Sequence, residues 1–482
     1  MIQAFFRDSV LYSIPILISR GLFIFLIPLY TRVLSPTDFG ALDMLMAFGA
    51  IVNLTVAMEV SQGVARYYAD EREVDRKIIY ASTAFWFTLL CYSLFLSLSL
   101  HFSEVLSRLV LGVEGLESVF RIGMFFLWLN GLFYLIQNQF RWELRSRDFA
   151  MVSLLVTVTT AALAVALAYG LEWGLKGLIY SMIGGSMLGC LYGIWHLRNS
   201  FRFRFSQSML KEMLWFSIPL VPSGVAVFFS SYIDRIMLNH YLSLEDVGLY
   251  GVGFRLASLI VLVMAGFQSA LTPLVYSQYR HPDTPQKLAV IFRIFMTAGL
   301  FVFLGLSLFS VEILRMMTTP AFYRAEKVVI LLAPAILLSS MYIFAPGIGI
   351  AKKTYLLLLI NGAGAVFCVA LNVLLIPGSG IMGAAVAKLL GYGAIFVAYM
   401  AISQRLYPVP HDWWRLTGAA AVTALLAIFG RDITSLETGH VWAKGTLFIP
   451  LIVVVFMFGL VKVQEMSQAC QTVLRKMHHH RS

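Results

Sequence analysis

Apolar stretches of about 20 residues, the length of a transmembrane helix, recur along the whole chain of 482 residues. A helix of that length crosses the hydrocarbon core of a bilayer, which is about 30 Å thick. Charged residues make up only 13% of the chain, whereas soluble domains usually carry about 25%. A soluble core could not bury so much apolar sequence, so we predict an all-α, polytopic membrane protein.

The apolar pattern predicts a chain of 14 transmembrane helices. They are expected at residues 9–30, 40–63, 78–100, 118–139, 150–170, 175–197, 213–233, 248–276, 290–311, 328–350, 354–376, 381–404, 413–430 and 446–463. The first stretch has no small-residue cleavage site behind it and is followed at once by another span. We therefore interpret it as a retained helix rather than a signal peptide.

Lys and Arg concentrate in every second loop and at both termini, where they outnumber those of the other loops more than two to one. Since basic loops stay in the cytoplasm, a multi-pass membrane protein with both termini cytoplasmic is predicted. The net charge of +11 is explained by these loops facing anionic membrane lipids, so a nucleic-acid partner is not expected. The four cysteines lie far apart without ligand spacing, so we expect no metal and no cofactor.

Short motifs recur between the two halves of the chain. The matched pairs are Ser13–Ile16 with Ser217–Leu220, Asp38–Gly40 with Asp246–Gly248, and Gly174–Gly177 with Gly380–Gly383. This repeat predicts two six-helix bundles of the same membrane orientation, at residues 1–204 and 205–405. The last two helices and a cytoplasmic tail then occupy residues 406–482. Parallel repeats of this kind are common in transporters, where two bundles rock about a central site.

Further motifs join this repeat in a characteristic order. They are Tyr12-x-x-Pro15, Pro28–Ser35, Asp38–Gly40, Gly63–Tyr68, Asp234–Arg235 followed by Val247–Tyr250, and Gly380–Ala385. Together they resemble the polysaccharide-transport family, the Wzx-type flippases, over nearly the whole chain. The resemblance implies the multidrug/oligosaccharidyl-lipid/polysaccharide exporter superfamily and two pseudo-symmetric bundles around a central cavity. It also implies an undecaprenyl-diphosphate-linked glycan as cargo and the bacterial inner membrane as the location.

Three basic residues, Arg20, Arg255 and Lys388, lie inside predicted spans. A charge at the bilayer centre costs at least about 2.5–3.5 kcal/mol, so such residues usually face a cavity or a partner. We interpret them as substrate-binding cations that attract the diphosphate, since Arg forms bidentate phosphate contacts and Lys acts as a point charge. The alternative is neutralisation of Arg20 by Asp43 or Glu59, with Arg255 and Lys388 extended towards the membrane surface.

Polar residues in the fourth predicted span recur at helical spacing and form one face of the helix. They are Asn130, Tyr134, Gln137, Asn138 and Arg141. We interpret this face as the wall of an inward-open cavity, where sugar hydroxyls can hydrogen-bond. For Arg141 the alternative is a positive-inside anchor.

Asp43 and Glu59 are the acidic residues of the second predicted span. Either carboxylate could take up H⁺ or Na⁺ and couple an ion gradient to transport. Either could equally be a structural partner of Arg20.

The leading prediction is a flippase that moves an undecaprenyl-diphosphate-linked oligosaccharide from the cytoplasmic to the periplasmic leaflet by alternating access. The cargo would be an O-antigen, capsule or exopolysaccharide repeat unit. The chain has no phosphate-binding loop of the form G-x-x-x-x-G-K-S/T, so a gradient or consumption of the product must supply direction. Polysaccharide polymerase or assembly proteins are candidate partners.

Two other transporters and one enzyme class are the alternatives. A peptidoglycan lipid-precursor flippase would share the cationic cavity, whereas a cation-coupled multidrug exporter should have an acidic one. A membrane glycosyltransferase or polymerase needs a sizeable loop or an acidic motif at a membrane face. The outer loops are short and carry no such arrangement, so we do not expect an enzyme.

Overall fold

The computed structural model describes residues 26–261, 275, 279–353, 355–433 and 441–460. Every regular element in these ranges is a helix, which confirms the predicted all-α class. A helix satisfies its backbone N–H and C=O groups within one segment, as an apolar bilayer requires.

The helices are labelled in chain order. They are α1 Pro36–Thr55, α2 Val60–Asp70, α3 Val74–His101, α4 Ser103–Leu111, α5 Glu117–Trp142, α6 Ser146–Leu163, α7 Gly174–His196, α8 Gln207–Ser217, α9 Leu220–Tyr241, α10 Leu244–Ala257, α11 Thr284–Leu308, α12 Ser310–Met317, α13 Glu326–Ser340, α14 Gly347–Ile350, α15 Tyr355–Leu406, α16 Trp413–Ile433, α17 Val441–Thr446 and α18 Phe448–Met457. A π-helical segment, Ala164–Gly170, continues α6, and 3₁₀ turns lie at Ser258–Ile260, Pro320–Ala325 and Met341–Phe344.

Within the described residues, nine helical stretches are long and apolar enough to cross a bilayer. The number rises to ten if α8 and α9, which are bent by 45° relative to each other, are counted together as one span. The chain is therefore a multi-pass membrane protein. The count of fourteen stays a prediction. The predicted spans 9–30 and 248–276 lie partly outside the described residues, and 446–463 coincides with a shorter apolar helix, Lys444–Met457.

The structure differs from the predicted helix boundaries at two places where the backbone leaves helical geometry. The predicted span 40–63 is interrupted between α1 and α2, where Met58 and Glu59 adopt left-handed backbone with φ of 50° and 53°. The predicted spans 354–376 and 381–404 run together as α15, which departs from helical geometry at Gly380 (φ 58°, ψ −138°). Glycine adopts a positive φ without the steric cost that a Cβ would impose.

The described residues fall into two compact units. The first draws on Met1–Val252, Arg315–Ala325 and Asn361–Ala387, and the second on Gly253–Leu314, Glu326–Ile360 and Lys388–Ser482. In the first unit α5 and α6 pack on α7, α3 packs on α5, and α2 packs on α8. In the second, α11 packs on α13 and α16. The six-helix boundaries predicted at residues 204 and 405 stay a prediction.

Within the first unit, α1 and α10 meet at a matched pair of glycines. A Cβ on Gly40 would overlap the carbonyl oxygen of Leu244, and a Cβ on Gly248 would overlap the carbonyl oxygen of Pro36. Gly40 and Gly248 occupy equivalent positions in the repeated motif. The two copies of the motif therefore contact each other reciprocally, at a distance only glycine permits.

Both helices begin with the same cap. The Ser35 hydroxyl donates to the Asp38 carboxylate (2.8 Å), as the Ser243 hydroxyl donates to Asp246 (2.7 Å). In each case the serine oxygen accepts the backbone N–H of that aspartate (3.2 Å). A cap of this kind satisfies N–H groups that a helix N-terminus leaves without intrahelical partners.

We expect Gly40→Ala to destabilise the protein by about 1–3 kcal/mol, the usual cost of inserting a methyl group into a closed contact. Gly362→Ala on α15 is the matched control, because a Cβ there meets no atom within 4 Å. The thermal unfolding midpoint of the purified protein measures both. Equal midpoints for the two variants would contradict the close crossing of α1 and α10.

Candidate functional site

A small cavity of about 20 Å³ lies in the first unit, beside the break between α1 and α2. Four helices (α1, α2, α3 and α5) and the break itself contribute its polar lining residues. These are Asn53, Glu59, Ser61, Thr88, Tyr92 and Tyr134. The structure thus brings the predicted coupling residue Glu59 together with Tyr134 from the predicted polar face of α5.

Hydrogen bonds join α1 to α3 and α5 along this wall. The Tyr92 hydroxyl donates to Asn53 Oδ1 (2.7 Å), and Asn53 Nδ2 donates to Asn130 Oδ1 (3.5 Å). A Cβ on Gly131 would overlap the Tyr92 ring, so glycine at this position lets the ring lie against α5. The predicted substrate residue Asn130 therefore contacts the wall of the cavity through Asn53.

Three oxygen atoms of the cavity residues are buried without a hydrogen-bond partner: Glu59 Oε2, Ser61 Oγ and Thr88 Oγ1. The residues Ser61 and Thr88 are only 4% and 2% exposed. The Gln62 side chain hydrogen-bonds the Glu59 carboxylate. The cavity therefore offers oxygen atoms, one of them from an acid, to a species no larger than water.

The remaining residues of the predicted polar face of α5 do not all contact the same helix. Gln137 Nε2 donates to Ser153 Oγ (2.8 Å), and buried Asn138 lies within hydrogen-bonding reach of the Tyr134 hydroxyl. Exposed Arg141 lies 4.9 Å from the centroid of the Phe149 ring. Tyr134 thus lines the cavity and Asn130 adjoins it, while Gln137 and Arg141 contact α6.

The other predicted coupling residue, Asp43, lies in a buried ionic cluster of the first unit. Arg235 Nε is 3.4 Å from Asp43 Oδ2, and Arg235 Nη1 is 3.4 Å from Asp234 Oδ1. The Tyr250 hydroxyl donates to Asp234 Oδ2 at 2.5 Å. The two carboxylates and the guanidinium are all at least nine-tenths buried. Asp43 thus has a countercharge close by in the fold.

From sequence, Arg235 has no predicted site role, and Arg20 is the predicted partner of Asp43. Arg20 lies outside the described residues. The signal that could have identified Arg235 is its place in the repeat, since Asp234–Arg235 stands at the end of a predicted span just before the motif at Asp246. Ser61 and Thr88 were also missed, because single hydroxyl groups are common in membrane helices.

We expect Arg235→Ala to destabilise the protein by about 3–5 kcal/mol, because it removes the guanidinium from a buried ion pair with Asp43 and Asp234. Arg108→Ala is the matched control, since the ion pair of Arg108 with Glu104 is exposed and such pairs contribute little. Thermal unfolding of both purified variants measures the difference. A loss in Arg235→Ala no larger than in Arg108→Ala would show that the cluster does not stabilise the fold.

The predicted cations Arg255 and Lys388 both belong to the second unit. Lys388 is 3% exposed, and its Nζ lies 5.5 Å from the Phe254 ring centroid and 5.2 Å from that of Tyr392. Phe254 precedes Arg255 on α10, so Lys388 contacts the residue next to Arg255 in the chain. Cations are attracted to aromatic faces by about 0.5–2 kcal/mol.

A larger cavity, of about 200 Å³, lies in the second unit where α11 and α16 begin. His411, Arg293 and Asp412 line it. The His411 ring is held by Phe292 and Trp413, with ring centroids at 4.6 and 5.1 Å, and its two nitrogen atoms have no hydrogen-bond partner. Burial lowers the pKa of His411 from 6.5 to about 4, because it disfavours the charged imidazolium. His411 is therefore neutral at pH 7.

This pKa predicts a pH-dependent stability. Between pH 6.5 and about 4 the unfolded chain binds a proton at His411 that the folded chain does not, so stability falls as the pH is lowered through this window. The two test values are pH 7, which lies above this window, and pH 5, which lies within it. We expect the thermal midpoint to drop more between them in the wild type than in His411→Gln. Exposed His196→Gln is the control and should behave as the wild type. Parallel pH profiles for wild type and His411→Gln would contradict the prediction.

The fold resembles that of known transport proteins. The lipid II flippase MurJ in an inward closed conformation aligns with a TM-score of 0.72 and 15% identity, over 93% of this chain and 98% of that one. A multidrug resistance MATE family transporter of the MOP superfamily, in an inward-facing conformation, aligns with a TM-score of 0.65 and 14% identity, over 82% and 97%. The fold class is therefore that of the multi-pass transporters of this superfamily.

The model of the family described as polysaccharide biosynthesis protein matches residues 29–317. The chain therefore belongs to this family, which confirms the family resemblance found in the sequence motifs.

Two relatives align over part of their length. The Lsg locus putative protein 1 of Haemophilus influenzae is 24% identical over 56% of this chain and 66% of its own. The probable low-salt glycan biosynthesis flippase Agl15 of Haloferax volcanii is 26% identical over 45% of this chain and 47% of its own. The chain thus matches less than two thirds of either relative. The relatives and neighbours with a described activity are flippases and transporters rather than enzymes, in agreement with the sequence prediction.

Proposed function

We propose that the protein is a flippase for an undecaprenyl-diphosphate-linked oligosaccharide, such as an O-antigen, capsule or exopolysaccharide repeat unit. It would carry this cargo from the cytoplasmic to the periplasmic leaflet of a bacterial inner membrane, with both termini in the cytoplasm. The observation that carries the proposal is membership of the polysaccharide biosynthesis family. The description of the Haloferax relative as a glycan biosynthesis flippase and the transporter fold support it.

The cargo combines a diphosphate with a sugar chain, and the proposed site provides for both. Arg20, Arg255 and Lys388 would attract the diphosphate. A charge-assisted hydrogen bond to a phosphate oxygen is stronger than the contacts of Lys388 with Phe254 and Tyr392, so the ammonium could exchange the rings for the ligand. The polar face of α5, from Asn130 to Arg141, would hydrogen-bond the sugar hydroxyls.

Alternating access would use two six-helix bundles, at residues 1–204 and 205–405, with residues 406–482 outside the repeat. The reciprocal contact of Gly40 and Gly248 supports this arrangement, because it joins equivalent motifs of the proposed bundles. The buried cluster of Asp43 and Arg235 lies near the same helix ends, which the topology prediction assigns to the periplasmic side. Opening towards the periplasm would then require these contacts to separate. An ion gradient acting on Asp43 or Glu59 would drive the cycle.

Deleting the gene tests the cargo. We expect a lipid-linked glycan to accumulate in the cytoplasmic leaflet, where mass spectrometry of extracted lipids identifies it. Accumulation of the peptidoglycan precursor instead would favour the related flippase function. New drug sensitivity without any lipid-linked glycan would overturn the proposal in favour of a multidrug exporter.

The cationic site is tested by complementation of that deletion. We expect Arg20→Ala and Lys388→Ala to abolish complementation while both proteins still insert into the membrane. Lys353→Ala is the matched control, because Lys353 is an exposed residue between α14 and α15. Full complementation by both Arg20→Ala and Lys388→Ala would remove these cations from the mechanism.

A further inference from the structure

The cavity beside the α1–α2 break contains more unsatisfied oxygen atoms than a folded interior normally tolerates. Glu59 Oε2, Ser61 Oγ and Thr88 Oγ1 belong to its lining residues, and each is buried without a hydrogen-bond partner. The great majority of buried polar atoms in proteins have a partner, supplied by protein or by a bound species. Three unpaired oxygen atoms on residues that line one cavity therefore point to a bound species in it.

The size of the cavity restricts that ligand. A water molecule needs about 10–15 Å³ of such space, and the cavity measures about 20 Å³. A sugar or a phosphate group is too large for it. One water molecule or one small ion fits, so this cavity cannot hold the glycan or its diphosphate.

The charge and the donor atoms favour a cation. The unpaired atoms are all oxygen, which is the ligand that hard cations prefer. Among the described residues no basic side chain forms an ion pair with Glu59, and the Gln62 amide that contacts its carboxylate carries no charge. A single carboxylate within a membrane segment is neutralised by one positive charge. Ser61 and Thr88 add neutral hydroxyl oxygens, so the site suits a monovalent ion.

The backbone at the break also fits a ligand site. Met58 and Glu59 are consecutive residues in the left-handed conformation, which is unfavourable for side chains other than glycine. Strained backbone of this kind occurs mainly at functional sites, where the surroundings hold it in place. Here it places Glu59, at the end of the break, and Ser61, in the first turn of α2, against Thr88 of α3.

We propose that this cavity binds one Na⁺ ion, held by Glu59, Ser61 and Thr88, with Asn53 and Tyr92 completing the oxygen lining. A role of the ion in driving transport rests on the proposed flippase function, but binding itself does not. Release of the ion would leave a carboxylate without a countercharge beside the polar face of α5. Ion occupancy would thereby be linked to the helix proposed to contact the sugar.

Thermal unfolding of the purified full-length protein tests the site without any glycan. NaCl is titrated against choline chloride or KCl at constant ionic strength. We expect the midpoint to rise and saturate with Na⁺ but not with choline, and to rise less with K⁺. Glu59→Gln should abolish the Na⁺ effect. Thr88→Val, which keeps the shape of the side chain, should raise the half-saturating Na⁺ concentration by at least about 10-fold, since even residues that only support a metal ligand contribute 10–100-fold to affinity.

Ser99→Ala is the control, because Ser99 is a buried hydroxyl on the same helix that does not line the cavity. It should leave the half-saturating Na⁺ concentration unchanged. Equal midpoints in Na⁺, K⁺ and choline would overturn the proposal and leave a bound water or a proton on Glu59 as the explanation. Equal shifts in Thr88→Val and Ser99→Ala would also overturn it. Either failure leaves the flippase proposal intact, because that proposal is tested by the lipids that accumulate in the deletion strain.

Discussion

Polar atoms buried in an apolar bilayer must find partners, and this constraint accounts for the most specific contacts of the molecule. In the first unit it gathers Asp43, Asp234 and Tyr250 around Arg235. In the second unit, Lys444 Nζ donates to the Leu308 carbonyl oxygen at 2.8 Å and pairs with Glu312 at 2.5 Å. Apolar side chains fill the space between helices, but these polar contacts determine which helices pack together and at which positions along their axes. They therefore specify the fold more narrowly than hydrophobic burial can.

The same constraint decides where the helices are allowed to break. Non-helical backbone within a membrane frees N–H and C=O groups, and it is tolerated where it is buried in protein or lines a cavity. The break between α1 and α2 follows this rule, since Ala57 and Glu59 both line the small cavity. The break at Gly380 uses a residue without a Cβ instead. The first of these two breaks is thus associated with a polar cavity and the second with glycine.

The helical class and most helix positions could be predicted from the sequence, because hydropathy and loop charge act locally. The repeat also predicted which motifs are equivalent, and Gly40 and Gly248 then met each other in the structure. Sequence alone did not predict that Asp43 would pair with Arg235, since 192 residues separate them and helix packing decides their distance. Nor did it predict the role of Thr88, because a hydroxyl in a helix is informative only once its partners are known.

Asp43 and Glu59 were equivalent acids by sequence, and their surroundings separate them. Asp43 has Arg235 close by, so an added cation would have to displace a guanidinium that also contacts Asp234. Glu59 lies beside a cavity of ionic size, with unpaired oxygens of Ser61 and Thr88 around it. An exchangeable ion needs a site that is charged, small and not already neutralised by the protein. By this criterion Asp43 belongs to the contacts that hold helices together, and Glu59 is the acid that fits the proposed ion site.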